Sequence, residues 1–232
     1  MIKPLATLAA ALALTACTDR FVADFEADPI NLLPQANPAG DPSDTIISDE
    51  NDGDIRVSNA NPVAGNKSLR LTGNTNLRTG PRVLMFAEPL AASNKSITAS
   101  WQGRVSGTPQ VEITFAALGS TGAVIHEYVT VRLDDGVVGI FDDTENEFLE
   151  TIGLYTPNQN HSFLIRVSPG AQKYFVESTG ATTPGTDFEG NISADATPLA
   201  TQVGLILSLK EAGGSDIYKM DTVRIKESSV FN

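Results

Sequence analysis

One short stretch of the chain combines side chains that could carry out acid–base chemistry. His126, Tyr128 and Arg132 occupy alternating positions in the run HEYVTVRL. A histidine or tyrosine can remove a proton, and an arginine can stabilise the negative charge that develops, as an elimination reaction requires. Alternation with Val129 and Val131 equally predicts the solvent-facing, polar side of one strand. The residues leave both interpretations open.

Other catalytic patterns are absent from the sequence. There is no G-x-S-x-G elbow, no H-E-x-x-H or C-x-x-C motif and no phosphate loop, and two histidines are too few for a typical histidine-rich zinc site. The acidic run DENDGD at 49–54 offers oxygen ligands of the kind that calcium prefers, but it lacks the acidic residue that an EF-hand loop requires at its twelfth position. We interpret this run as a solvated loop.

Most apolar stretches of the chain alternate with period two. Residues 97–105, 129–133 and 203–209 each place apolar side chains on one face and more polar ones on the other, which is typical of half-buried β-strands. Asp134-Asp135-Gly136 and Ser168-Pro169-Gly170 separate such runs and predict β-hairpins. The chain is therefore predicted to be all-β, with roughly ten to twelve strands in a sandwich or barrel.

Two long segments interrupt the predicted strands. Residues 29–54 are rich in proline, and residues 178–198 are rich in threonine, glycine and proline. We expect both to be long loops, which are often functional in compact domains. Alternation also places Trp101, the sole tryptophan, on the inner face of its strand with Ile97 and Ala99.

The N-terminus combines an apolar run with the single cysteine of the chain. Residues 5–14 are alanine and leucine with one threonine, too short a run to span a bilayer as a helix. Leu14-Thr15-Ala16-Cys17 resembles the lipobox of a bacterial lipoprotein signal. The resemblance implies cleavage after Ala16 and acylation of Cys17. Because Thr18 and not an aspartate follows, it implies the outer membrane of a two-membrane bacterium. The alternative is an ordinary secretory signal with an incidental cysteine.

This N-terminal resemblance divides the chain into three parts. Residues 1–16 are expected to be the signal peptide, residues 17–22 the lipidated cysteine and a short tether, and residues 23–232 a single β-sandwich domain. With no second cysteine to form a disulfide, an exported domain of this kind depends on its hydrophobic core alone.

The charge of the chain limits its partners. Acidic side chains outnumber basic ones by 28 to 16, and the net charge is −12. Nucleic acids and anionic lipids are polyanions, so an acidic protein is a poor fit to either. Lysines and arginines are scattered singly along the sequence, and we expect no basic patch.

Three segments resemble the concanavalin A-like and carbohydrate-binding-module jelly rolls. They are DFEAD at 24–28, NPVAGNKSLRLTG at 61–73 and YKMDTVRI at 218–225. The resemblance implies an antiparallel two-sheet jelly-roll sandwich whose first and last strands lie side by side. It also implies a non-catalytic binding or structural module with carbohydrate as the leading ligand. A polysaccharide-acting enzyme, such as a lyase, and an accessory subunit that binds a protein partner are the alternatives.

The same resemblance implies a structural calcium ion held by Glu26 and Asp221. By alternation Asp221 falls with Val223 and Ile225 on the core side of its strand. A buried, unpaired carboxylate is costly, so Asp221 needs either a cation or several hydrogen-bond donors. The alternative to the ion is that backbone N–H groups donate hydrogen bonds to the Asp221 carboxylate.

A bound glycan is expected on the polar face of one sheet. Arg104, Tyr128 and Arg132 alternate with core residues, so alternation points all three away from the core. Arginine suits carboxylates and paired hydroxyls, and a tyrosine ring suits a sugar ring. Phe188, in the second long loop, is positioned to cap such a site. The sequence leaves open whether the strands of Arg104 and Tyr128 are neighbours.

Overall fold

The computed structural model describes ten segments of the chain, and the structural statements below apply to them. They are residues 18–34, 45–49, 55–73, 79–86, 96–119, 123–142, 145–180, 186–192, 202–210 and 216–228. Cys17, Ala16 and the rest of the expected signal peptide lie outside the described residues, as do residues 50–54 of the acidic run.

The described segments form fifteen β-strands and one turn of 3-10 helix, Pro169–Ala171. The strands in chain order are β1 Thr18–Ala23, β2 Thr45–Asp49, β3 Ile55–Ser58, β4 Ser68–Thr72, β5 Thr79–Phe86, β6 Ser96–Ser106, β7 Gln110–Leu118, β8 Val124–Asp134, β9 Val137–Asp142, β10 Glu147–Leu154, β11 Asn160–Ser168, β12 Lys173–Gly180, β13 Thr186–Asn191, β14 Gln202–Lys210 and β15 Ile217–Ser228.

The strands form two antiparallel sheets that pack as a sandwich. Sheet I has the order β13-β12-β11-β6-β15-β4-β3, with β1 also paired to β15, and sheet II has the order β10-β9-β8-β7-β14-β5-β2. The all-β, antiparallel two-sheet prediction is confirmed. Among the described residues no helix is long and apolar enough to cross a membrane.

The first and last strands lie side by side, as the jelly-roll resemblance implied. Phe21 of β1 pairs with Ile225 of β15, and the other half of β15 pairs with β4 on the same side. The pairing begins at Thr18, directly after Cys17. The expected tether over 17–22 is therefore wrong for residues 18–22, because these residues belong to sheet I.

The inner faces of both sheets follow the period-two pattern. Trp101 is buried, stacks on Phe163 with a ring-centroid distance of 5.2 Å, and donates its Nε1–H to the Tyr218 hydroxyl at 3.0 Å. The hairpin after Asp134 is confirmed, because Asp135 and Gly136 have the positive φ angles that a two-residue hairpin turn requires. The β11–β12 hairpin is also present, closed by the 3-10 turn.

Both predicted long loops contain a strand. Residues 45–49 form β2, which pairs with β5, and residues 186–191 form β13, which pairs with β12. Phe188 is therefore not a loop residue. The run Asp187-Phe188-Glu189 is a short polar–apolar–polar alternation, which is enough for an edge strand once β12 supplies a partner.

Candidate functional site

The outer face of sheet I is a regular grid of side chains. The outward positions of β6 are, in order, Thr98, Ser100, Gln102 and Arg104. Each belongs to a row of side chains that extends across the strands on both sides of β6. Successive positions on one face of a strand are separated by about 7 Å. Strands far apart in the sequence thereby contribute side chains to common rows.

The two middle rows line a groove of about 310 Å³. The Ser100 row consists of Arg224, Ser100, Leu164 and Glu177. The Gln102 row consists of Asp221, Gln102, Ser162 and Thr179, and the last three of these line the groove together with Thr222. We call this feature the sheet I groove. It crosses β15, β6, β11 and β12, and these residues line it mainly with groups that donate or accept hydrogen bonds.

The β3–β4 loop, residues 59–67, covers the Arg104 row beside the groove. Arg104 donates to the carbonyls of Asn61 and Pro62 at 3.1 and 3.0 Å, and to Asn160 Oδ1 at 2.7 Å. The Lys219 ammonium donates to the carbonyls of Ala60 and Asn61. The first half of the loop thus turns its carbonyls toward two cations on the sheet.

The second half of the loop turns its amides toward two carboxylates. Glu26 Oε1 accepts hydrogen bonds from the Asn66 and Lys67 amides at 2.6 and 3.0 Å. Asp221 Oδ2 accepts from the Ala64 amide at 3.0 Å, and its Oδ1 accepts from its neighbour Thr222 at 2.7 Å. The residues proposed as calcium ligands are therefore brought to one loop, as expected, but backbone N–H groups bond to both carboxylates.

Asp221 does not point into the core. The register of β15 shifts between Asp221 and Arg224, and Thr222 has a φ of 50°, so Asp221 pairs with Gln102, an outer-face residue. The expected grouping with Val223 is wrong because a bulge reverses the alternation. Asp221 is buried beneath the loop, and this burial, with the nearby charge of Glu26, raises its pKa to about 7 against the opposing effect of its backbone hydrogen bonds.

A lysine ammonium already lies at the junction of the first and last strands. Lys67 Nζ donates to the carbonyls of Glu26 and Asp28 at 2.6 and 2.7 Å. Burial raises the pKa of Glu26, but the Asn66 and Lys67 amides outweigh that effect and leave this pKa below its usual value. No group of three or more histidine, cysteine, aspartate or glutamate side chains is placed to hold a metal ion in the described part of the chain.

Arg132 is committed to other side chains on sheet II. Its Nε donates to Glu112 Oε1 at 3.0 Å, its Nη2 forms an ion pair with the same oxygen, and its guanidinium lies 3.0 Å from the centroid of the Phe141 ring. Both charged side chains are buried. Arg132 does point away from the core, as expected, but it faces neighbours that satisfy it.

Tyr128 turns toward the core. Phe115 pairs with Val129 and Ala116 with Glu127, so Tyr128 is an extra residue in β8. Its side chain is only 7 % exposed, and its ring lies 6.2 Å from that of Phe115. Burial raises the pKa of Tyr128 to about 12. The prediction that it points outward is wrong because of this bulge.

Tyr128 lines a cleft of about 260 Å³ near the ends of β9 and β13. His126, Asp142, Tyr174 and Asn191 also line it. The ring of Phe188 packs 6.1 Å from that of Tyr174. The structure therefore brings Phe188 close to Tyr174 beside this cleft, and not above a groove that contains Arg104.

The predicted shared face of Arg104, Tyr128 and Arg132 does not exist. Arg104 belongs to β6 of sheet I, whereas Tyr128 and Arg132 belong to β8 of sheet II. His126, Tyr128 and Arg132, the set that suggested elimination chemistry, share β8 but not one reactive face, because Tyr128 turns toward the core and Arg132 is ion-paired with Glu112. Sequence reasoning missed the sheet I groove because its members come from four strands whose adjacency is not a local property. The only local signal was their alternation with core residues.

Comparison with known proteins identifies the fold. No protein-family model and no curated protein matches the sequence. Three similar solved structures are lectin I of Ulex europaeus in complex with the methyl glycoside of α-L-fucose, the PL-14 alginate lyase of Aplysia kurodai and the catalytic domain of a glycoside hydrolase family 131 protein of Coprinopsis cinerea.

The likeness to these structures extends over nearly the whole of each chain. The lectin has a TM-score of 0.56 at 12% identity over 87% of this chain and 97% of its own. The lyase has a TM-score of 0.59 at 10% identity over 90% of this chain and 98% of its own. The hydrolase has a TM-score of 0.60 at 9% identity over 91% of this chain and 95% of its own. The chain therefore has a concanavalin A-like jelly-roll fold, which lectins and polysaccharide-acting enzymes share.

Proposed function

We propose that this chain is a non-catalytic carbohydrate-binding domain that holds its glycan in the sheet I groove. The observation that carries the proposal is the groove itself, in which hydrogen-bonding side chains from adjacent strands face one open channel. Sugars present closely spaced hydroxyl groups, and a fixed array of hydroxyl, amide and charged side chains is complementary to them. The lectin and the two polysaccharide-acting enzymes on the same fold support a glycan as the ligand.

The side chains of the groove favour binding over catalysis. An elimination needs a base and a cation at one reacting centre. Of the β8 residues that suggested it, Tyr128 turns toward the core and Arg132 is ion-paired with Glu112. Hydrolysis by retaining or inverting routes needs two carboxyl groups across the scissile bond. Glu177 is the single carboxylate among the described residues that line the groove.

Removal of groove hydrogen-bonding groups tests the proposal. We expect the triple variant Gln102→Ala, Ser162→Ala, Thr179→Ala to bind its glycan at least about tenfold more weakly, because each lost hydrogen bond contributes roughly 0.5–1.5 kcal/mol. The protein is first screened against a panel of soluble polysaccharides, and the affinity for each hit is measured by calorimetry.

The matched control removes hydroxyls from the outer face of the other sheet. Thr114 and Thr130 hydrogen-bond to each other at 2.9 Å on sheet II, and replacing both by alanine leaves no unpaired partner. This double variant should keep full affinity. Equal affinity in the groove variant and the wild type, with both folded cooperatively, would place the site elsewhere.

We also propose that Cys17 is lipidated and anchors the domain to the bacterial envelope, at the outer membrane. The Leu14–Cys17 motif supports this, and several acyl chains make a durable anchor where one is marginal. Because β1 starts at Thr18, the anchored domain would lie close to the bilayer. Fractionation of cells that express the wild type and Cys17→Ser, with mass measurement of the N-terminal peptide, tests the proposal. It fails if both proteins are soluble and unacylated.

We further propose that calcium competes with the Lys67 ammonium at the junction of β1 and β15. The carbonyls of Glu26 and Asp28 and the carboxylates of Glu26 and Asp221 are all oxygen donors, which suit a hard cation. Calcium that binds only the native state adds RT ln(1 + [L]/Kd) to the free energy of unfolding and so raises the melting temperature. Superimposable melting curves in EDTA and in millimolar calcium would contradict calcium binding, and the Lys67 ammonium would then be the cation at this junction.

A further inference from the structure

We infer that the glycan held by the sheet I groove is an anionic one, carrying uronic acid carboxylates or sulfate esters. This inference rests on the proposed function and specifies the class of its ligand. It follows from where the basic side chains of an acidic chain are placed.

Basic side chains are concentrated on the outer face of sheet I. Of the ten lysines and arginines whose side chains the structure describes, eight stand on this face. Four of them pair in a single row across four adjacent strands, in the order Arg56, Arg70, Lys219 and Arg104. The other four are Arg166, Lys173, Arg224 and Lys226. The sequence-based expectation that there is no basic patch is therefore wrong.

The basic residues flank the groove on both sides. The Arg104 row adjoins the Gln102 row, and on the opposite side the Thr98 row, with Lys226 and Arg166, adjoins the Ser100 row. Arg224 lines the groove itself. Since adjacent rows are about 7 Å apart, an anion in the groove lies within roughly one Debye length of cations on either side.

The eight described cations of this face outnumber its six described carboxylates. The donors of Arg104 and Lys219 go to backbone carbonyls and to Asn160, which satisfies hydrogen bonding but leaves both formal charges in place. The described carboxylates on this face are Asp24, Glu26 and Asp221, which lie together at the β3–β4 loop, and Glu177, Asp187 and Glu189, which lie toward the β12–β13 edge. Glu189 is paired with Lys173.

The described side chains of this face carry more positive than negative charge, whereas the chain as a whole is acidic. A protein with a net charge of −12 repels a polyanion at long range. A concentration of cations on one sheet face is complementary to a negatively charged ligand that docks there. At physiological ionic strength the short screening length lets this face govern binding, because more distant acidic residues are largely screened.

Two matched pairs of polymers test the inference. Polygalacturonate and its fully methyl-esterified form have the same sugar backbone with and without charge, and chondroitin sulfate and unsulfated chondroitin test the sulfate ester. We expect at least one charged form to bind at least about tenfold more tightly than its less charged partner, with an affinity that falls as salt rises from about 50 to about 300 mM. Laminarin serves as a neutral comparison.

A variant pair assigns the effect to the groove. Arg166→Gln with Arg224→Gln should weaken binding of the anionic polymer at least about tenfold. The control Thr151→Glu with Leu154→Glu gives the same net charge by altering exposed positions of β10 in sheet II, and should change affinity less than about twofold. Cooperative melting of both variants confirms that each is folded.

The outcomes separate the two proposals. If neutral laminarin or the methyl ester binds as tightly as the charged polymers, the domain binds glycans but the anionic inference is overturned. If the control variant loses as much affinity as the groove variant, the effect is one of net charge and the inference is again overturned. If no glycan binds in any arm, the proposed function itself fails.

Discussion

Replacing Arg104 by methionine tests whether this residue holds the β3–β4 loop instead of a ligand. Its side chain is 9 % exposed and donates to Asn160, Asn61 and Pro62. A hydrogen bond from a charged donor contributes roughly 1.5–3 kcal/mol. Asn61 is exposed, so its carbonyl can be rehydrated, and Lys219 still donates to it. We therefore expect the free energy of unfolding to fall by about 2–4 kcal/mol, less than the sum of three bonds.

Urea unfolding monitored by the fluorescence of the sole tryptophan measures this change. Each kcal/mol lowers the melting temperature of a domain of this size by roughly 2–4 °C. Arg104→Lys keeps the charge but loses the planar arrangement of donors, so its free energy of unfolding should fall about half as far as that of Arg104→Met. Because Arg104→Lys keeps the charge beside the groove, its glycan affinity should stay within about twofold of the wild type. A stability loss below about 0.5 kcal/mol for Arg104→Met, or a large loss of affinity in a stable Arg104→Lys variant, would refute the assignment.

Three other substitutions test parts of the fold that support the groove. Tyr218→Phe should lower the free energy of unfolding by about 1–3 kcal/mol, measured by urea titration, because it leaves the buried Trp101 Nε1–H without an acceptor. Gly65→Ala should cost more than about 1 kcal/mol in the same assay, because Gly65 has a φ of +51° and an added Cβ would lie 2.2 Å from Glu26 Oε1. Burial lowers the pKa of His161 below its ordinary 6.5 in the folded protein. As the pH drops through 6.5 the unfolded chain therefore gains a proton before the folded protein does, so the free energy of unfolding should be full above pH 6.5 and fall below it. His161→Gln should flatten this part of the stability–pH curve, and an unchanged slope would contradict the assignment.

The core faces of the sandwich could be predicted from the sequence because they depend on local alternation. Ile97, Ala99 and Trp101 are buried as the period-two pattern requires. The same reasoning failed at Tyr128 and Asp221, since each lies at a bulge where one extra residue reverses which side chain faces the core. A bulge depends on the partner strand, so no pattern within one strand reveals it.

The candidate site could not be predicted because its rows are built from distant segments. Arg56 and Arg70 are placed beside Lys219 and Arg104 only by the pairing of β3, β4, β15 and β6. Cations that are scattered singly along the chain thereby become one row. The resemblance to jelly rolls did predict correctly that β1 and β15 are neighbours.

The most direct test of the proposed function is a titration of the isotopically labelled protein with a bound glycan, followed by amide chemical shifts. We expect the largest shifts on the four groove strands, around residues 98–104, 162–166, 175–179 and 222–226. Saturable shifts confined instead to residues 126–130 and 140–142, which line the cleft of Tyr128, would contradict the placement of the site. Shifts absent for every glycan offered would contradict carbohydrate binding itself.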